Sequence, residues 1–346
     1  MPALLEHLLP GRRLASLEAD LAAFSDLAEG PALAARIVDF GHALVAGGFD
    51  GVLLTRSVSL LNDRLSVRII ELTAGQHRLP AVDWCWLALG SEGRGEQTFV
   101  TDQDNGLIFS AADDQEAVAL RALFLPFAQA VNEQLAACGF ELCSGRIMAG
   151  NPAWCLSFAE WREQFIDWVR RPDPAALLNA SIFFDLRPLY GAFGLAEDLR
   201  SLLLALTVDT PAFLHLMAAN ALQAEPPLSF RGAVLAGSAG RLDLKKFGSR
   251  IFVDAARILA LAAGVRPVSS VERLRQAGLP DDERASIEAA FSQVLRLRLQ
   301  QQVHDAGRPG HGLNLSSLNE VDQAILRESL RQARRLQQRL KLNYAL

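Results

Sequence analysis

The sequence predicts an α+β protein with a small mixed-sheet core, helices ahead of it and an all-α helical bundle behind it. Three observations carry that expectation. Residues 1–50 are rich in Ala and Leu at helical spacing. Short apolar runs of β-forming residues cluster between positions 82 and 143. From Trp154 onward the apolar pattern is almost wholly helical. The expected division is therefore a helical segment over 1–50, a core over 51–191 and a helical domain over 192–346.

In the first segment, Pro10-Gly11 and Gly30-Pro31 predict breaks. Leu53 to Thr73 repeats apolar residues at helical intervals and stops before Gly75. Val82 to Leu89 reads as a strand ended by Gly90, and Gly106 to Phe109 reads as a second. Asp113 and Asp114 suit the cap of a helix whose positions Leu120, Phe124, Phe127, Val131 and Leu135 step by three or four. Gly139 ends it, and Phe140 to Cys143 suggests a third strand. Pro172-Asp173-Pro174 and Glu225-Pro226-Pro227 mark loops. A last helix is expected from about Asn319 to Leu342, with Val321, Ile325, Leu330, Ala333, Leu336 and Leu340 on one face.

Composition narrows the function classes. With 346 residues, half hydrophobic and 21% charged, the chain has room for a sizeable core. A net charge of -5 argues against a nucleic-acid partner. The four cysteines, Cys85, Cys138, Cys143 and Cys155, form no CxxC pair and read as reduced core thiols. The six histidines, His7, His42, His77, His215, His304 and His311, show no metal-ligand spacing. No apolar run approaches the roughly 18 residues of a membrane span. Glu6, His7 and Pro10 argue against a signal peptide, so a cytoplasmic location is expected.

The chemistry concentrates between the first two strands, in Gly90-Ser91-Glu92-Gly93-Arg94-Gly95-Glu96-Gln97-Thr98 and Asp102-Gln103-Asp104. A glycine turn that leaves a strand and enters a helix presents several backbone N–H groups to one point, which suits a phosphate. The Ser91 hydroxyl and the Arg94 guanidinium are further donors for the same anion. In an extended segment Asp102 and Asp104 share a face, about 7 Å apart. Two such carboxylates repel unless a cation lies between them, and magnesium (or manganese) accepts oxygen ligands with phosphate and water completing the shell. An EF-hand is excluded because Gly106 falls one place early and an apolar run follows. A Walker-type loop is excluded because no Gly-Lys-Ser/Thr follows the turn.

These residues resemble a known family. Gly90 to Thr98, followed by Thr101-Asp-Gln-Asp-Asn105, closely matches the signature of the signal-transduction nucleotidyltransferases. That family is related to the PII-protein uridylyltransferase and the glutamine-synthetase adenylyltransferase, within the polymerase-β-like superfamily. Met148 to Trp154, Leu178 to Gly191, Leu242 to Lys246 and Arg296 to Gln300 resemble its later blocks, so the likeness runs from about residue 35 to the end. The resemblance implies that Gly90 and Ser91 hold a nucleoside triphosphate and that Asp102 and Asp104 hold the metal. It also implies that the C-terminal helices form a substrate-binding domain. The implied activity is transfer of UMP or AMP to an acceptor, in this family a protein.

One position departs from the pattern. Relatives in the superfamily add a third carboxylate, and Arg146 stands where the family block often carries an acid. Glu141 is a replacement candidate, or simply an edge carboxylate. Asp185 and Arg187 lie in a block that looks helical and either face the nucleotide or pair with each other between helices. Lys245 and Lys246 either meet a phosphate or acidic partner or end a solvated helix. The basic run from Arg331 to Lys341 reads as a solvated face. Trp154, Trp161, Phe165 and Trp168 repeat at helical spacing and read as packing. A non-catalytic nucleotide-binding regulator on the same fold is the alternative to the enzyme.

Overall fold

A computed structural model describes residues 2–237, 240–305 and 312–346. The chain forms two compact units. Met1–Phe49, Leu54–Phe165 and Ile182–Arg200 make the first, and Asp50–Leu53, Ile166–Ser181 and Ser201–Leu346 make the second.

Three helices open the chain, α1 (Pro2–Ala23), α2 (Gly30–Ala46) and α3 (Gly51–Ala74). The expected break at Pro10-Gly11 is absent, because α1 runs through it and then buries Leu17 and Leu21. That apolar face outweighs the local helix-breaking preference. The break before Pro31 is present, with a single 3₁₀ turn at Leu27–Glu29 ahead of α2.

The first unit then builds its sheet. Strand β1 (Trp84–Ala88) leads into a five-residue helix, α4 (Gly90–Arg94), and a loop returns the chain as β2 (Asn105–Phe109). The two pair antiparallel, Trp84 opposite Phe109 and Ala88 opposite Asn105. Both are buried on two faces, which is why their sequences are continuous apolar runs and do not alternate. Helix α5 (Asp114–Ala137) is capped by Asp113, whose side chain accepts from the Glu116 N–H at 2.8 Å. Its residues Leu120, Phe124, Phe127, Val131 and Leu135 are all buried, as their spacing requires. Phe124 stacks on Phe109 of β2 at 5.2 Å, and Phe127 meets Trp86 of β1 edge-on at 6.3 Å.

The outer strands differ from expectation. Residues 140–143 contribute only an isolated bridge, Asp102 opposite Glu141. The third and fourth strands are β3 (Cys155–Ser157) and, after helices α6 (Phe158–Arg170) and α7 (Pro174–Phe183), β4 (Arg187–Gly191). The sheet order is β3-β2-β1-β4, with β3 parallel to β2 and β4 antiparallel to β1. A three-residue strand carries no periodicity to read, and Pro188 in β4 is tolerated because that strand is an edge. Trp161 of α6 covers β2, donating its indole N–H to the Leu107 carbonyl at 3.1 Å. Trp161, Phe165 and Trp168 of α6 are buried, and Trp154, half-buried in a 3₁₀ turn outside that helix, packs on Trp161 and Phe183, so these aromatics mark packing. Cys85 and Cys155 are buried free thiols, whereas Cys138 and Cys143 are only half-buried.

The remaining elements are α8 (Phe193–Val208), α9 (Pro211–Ala221), β5 (Arg241–Leu242), α10 (Arg250–Ala262), α11 (Ser270–Gln276), α12 (Asp281–Asp305), β6 (Leu313–Asn314) and α13 (Glu320–Tyr344). The C-terminal region is helical, although β5 and β6 add a two-residue antiparallel ladder that no sequence period announced. Its Leu242 and Leu313 join Leu228, Leu244, Leu297, Leu326 and Leu330 in one apolar cluster. On α13 the expected face is buried from Leu330 to Leu340, but Val321 is exposed. His311 lies outside the described residues. Among the described residues no single helix is long and apolar enough to cross a membrane.

Candidate active site

The end of β1 fixes the glycine turn. The Leu89 N–H donates to the Asp104 carbonyl at 2.9 Å, which ties the start of α4 to the acidic segment. Gly90 then turns with φ +52°, a region that disfavours side chains. A β-carbon on Gly93 would stand 1.9 Å from the Asp185 carbonyl, so α4 touches that turn backbone to backbone. Gly95, at φ +66°, ends the helix, and the Glu96 N–H closes back onto the Ser91 carbonyl at 2.9 Å. Ser91 is half-buried, and its hydroxyl has no hydrogen-bond partner among the described residues. With only five residues α4 has a small macrodipole, so its leverage on an anion is that of local N–H groups.

Two arginines hold this turn from below. Arg187 of β4 donates to both Asp63 carboxylate oxygens of α3 at 2.9 Å, and to the Glu92 and Gly93 carbonyls at 3.0 and 3.2 Å. Arg94 pairs with Asp185 at 2.5 Å and with Glu96 at 2.8 Å. Asp185 is fully buried in the turn before β4. The block from Phe183 to Arg187, expected as helix, is instead the end of α7, a turn and the first residue of an edge strand. Asp185 and Arg187 do not bond each other: each holds a different part of the glycine turn.

The acidic segment is extended and alternates. Gln103 and Asn105 are buried, while Asp102 and Asp104 are half-buried. Asp102 lies opposite Glu141, whose backbone exchanges hydrogen bonds with Gln103 and Thr101 at 2.8 and 3.2 Å. The Glu141 side chain is exposed. The Asp104 carboxylate comes within 2.7 Å of where a β-carbon on Gly90 would stand, and burial raises the nearby Cys143 thiol, with the Asp104 charge adding to the rise. Turn and carboxylate therefore face one another at close range, and a β-carbon on Gly90 would push the carboxylate aside.

Two further carboxylates lie beside the glycine turn, Glu92 and Asp63, and local sequence reading missed both. Burial pushes the Glu92 carboxyl up to about 8, with Asp63 adding to the rise, Arg187 opposing it and Asp104 contributing again. Burial also raises Asp63, against the pull of Arg187. Glu92 lies inside the quoted motif, yet a lone Glu beside glycines gives no sign of burial. Asp63 sits mid-helix, 41 positions before Asp104, with nothing local to mark it.

The other candidates fall elsewhere. Arg146 is exposed in a turn at φ +55°, with its carbonyl accepting from the Asn151 amide at 2.8 Å. Lys245 opens a short π-helical turn, Lys245–Ser249, in the second unit, where the Lys246 ammonium lies 4.9 Å from the Phe247 ring. Along the basic run, Arg331, Arg339 and Lys341 pair with Glu328, Glu283 and Glu225. A cavity of about 300 Å³ borders Thr98, Phe99 and Thr101 between α2, α3 and the end of α5. No charged side chain lines it, which does not suit a triphosphate. Among the described residues no three His, Cys, Asp or Glu side chains form a metal cluster.

A strand, a glycine turn and an acidic segment on a small mixed sheet, joined in one chain to a helical unit, is the arrangement expected of a nucleotidyltransferase. Residues 35–175 match the family described as "Putative nucleotidyltransferase DUF294", and residues 211–344 match "Putative nucleotidyltransferase substrate binding domain". The chain belongs to this nucleotidyltransferase family. A comparison with curated proteins finds no match.

Proposed function

We propose that this protein transfers a nucleoside monophosphate, UMP or AMP, from a nucleoside triphosphate to a protein acceptor in signal transduction. The observation that carries this reading is the approach of the Asp104 carboxylate to Gly90, 2.7 Å from its would-be β-carbon. Phosphate donors and acidic ligands thereby serve one volume. The backbone N–H groups at Gly90 and Ser91, with the Ser91 hydroxyl, hold the triphosphate tail. Arg94, fixed by Asp185 and Glu96, sets the pose of the turn.

The half-buried Asp102 and Asp104 suit a hard divalent ion. They offer oxygen donors only, and two protein carboxylates leave room for waters and phosphate. When bound, magnesium or manganese supplies positive charge that neutralises the triphosphate and the leaving pyrophosphate. The acceptor hydroxyl oxygen bonds to the α-phosphorus, the α–β phosphoanhydride breaks, and the hydroxyl proton passes to solvent. The region from 192 to 346 then serves to choose the acceptor, with Lys245 and Lys246 as candidate contacts. We place this work in the reducing cytoplasm, away from membranes and nucleic acid.

One observation favours the non-catalytic regulator: Arg146 is exposed at the position where the family block often carries an acid. The deciding experiment incubates the full chain with magnesium, each labelled triphosphate and cell lysate. Labelled protein with pyrophosphate release supports the enzyme. Triphosphate binding without label or pyrophosphate supports the regulator.

A further inference from the structure

Behind the acidic pair lies a buried polar network that the proposed chemistry does not use directly. The Asn132 side chain, on α5, is 4% exposed and fully engaged. Its amide donates to the Gln103 side-chain oxygen at 2.9 Å and to the Asn105 side-chain oxygen at 3.0 Å. Its own oxygen accepts the Gly150 N–H at 2.8 Å. Gln103 in turn donates to the carbonyls of Asn132 and Phe140 at 3.0 and 3.1 Å. Asn105 also accepts the Ala149 N–H at 2.8 Å. Three buried amides thus tie the extended segment to α5, to the chain beside Glu141 and to the 149–150 turn.

We infer that Asn132 is a positioning residue for the acidic pair. Its partners Gln103 and Asn105 alternate with Asp102 and Asp104, so locking the inward side chains locks the direction of the outward carboxylates. An apolar trio of the same volume would fill this space without needing partners. What such a trio lacks is a fixed register, because apolar contacts tolerate sliding and hydrogen bonds with two defined ends do not. A charged pair meeting a small ion is sensitive to that register. Residues that orient metal ligands from behind typically account for about 10–100-fold in affinity. The inference rests on the reading that Asp102 and Asp104 bind a divalent cation.

The test is titration of the full chain with Mn²⁺ alone, followed by paramagnetic resonance, beside thermal melts. The variants are Asn132→Leu, Gln103→Met and, as a control for lost packing on the same helix, Val131→Ala. Val131 is fully buried but belongs to no hydrogen-bond network, so its truncation lowers stability only. The expected result is Mn²⁺ affinity weakened by about 10–100-fold in the folded network variants and unchanged in Val131→Ala. Should Asn132→Leu fail to fold, Gln103→Met reads the same effect from the other end of the network. Native affinity in a folded network variant overturns the inference while leaving the metal site standing. Absence of Mn²⁺ binding by the unaltered chain overturns the metal reading itself, and the inference with it.

Discussion

The Asp104 carboxylate stands 2.7 Å from the point a β-carbon on Gly90 would occupy, and Gly90 itself turns at φ +52°. The turn strains any side chain at position 90, and the Asp104 carboxylate must move aside for a β-carbon there. Gly90→Ala is expected to lower stability by about 1–3 kcal/mol from backbone strain alone. Displacement of Asp104 should also remove magnesium-dependent triphosphate binding. Urea unfolding and calorimetric titration check the two effects separately. Native affinity in a folded Gly90→Ala protein would place the triphosphate elsewhere.

Neutralising the acidic pair should separate binding from folding. Asp102 and Asp104 share one face of the extended segment, so removing their charges relieves their mutual repulsion. Asp102→Asn with Asp104→Asn is therefore expected to keep or raise the melting temperature while abolishing magnesium-dependent triphosphate binding. Titration calorimetry beside a thermal melt measures both. Unchanged nucleotide affinity would sink the assignment.

The contrast between these residues and their supports shows what was legible in the sequence. The turn, the acidic pair, β1, β2 and α5 all declare themselves through local order: a glycine, an alternation, a cap, a period. The helical C-terminal region follows from its period in the same way, without its two-residue ladder. Asp63, Glu92 and Asn132 do not, because each acquires its role from chain segments tens of residues away. Strands β3 and β4 escape for local reasons: β3 has only three residues, and β4 carries Pro188 within its five. The family likeness located Asp185 and Arg187, but only the fold shows that one holds Arg94 and the other holds Asp63 and α4.

The Arg94 cluster should behave as a buried charge network. Arg94 is 12% exposed in its side chain, Asp185 not at all and Glu96 only 7%. Arg94→Leu takes the guanidinium away from two buried carboxylates, and breaking such a network costs about 3–5 kcal/mol. Arg94→Leu with Asp185→Leu should recover part of that loss, because one of the two buried carboxylates is gone as well. Urea unfolding of the two variants measures it. Equal stability of Arg94→Leu and the unaltered chain would mean that the guanidinium serves the ligand and not the fold.

The pH response of the fold should come from Glu92. Burial, Asp63 and Asp104 raise its carboxyl from 4.5 to about 8, against the opposing pull of Arg187. Between those two values the folded chain keeps a proton that the unfolded chain has released, so stability falls as pH rises through the window. The contribution is fully present below 4.5 and lost as pH passes 8. Asp63 is shifted in the same direction and adds to the slope. Glu92→Gln stays neutral throughout and removes the larger share of it. From pH 5 to pH 8, in the presence of chelator, the unaltered chain should lose at least about 3 °C more in melting temperature than Glu92→Gln, the scale of ~1 kcal/mol for a fold of this size. Parallel melting curves for the two proteins would mean that Glu92 is charged in the fold, with the Arg187 guanidinium outweighing its burial.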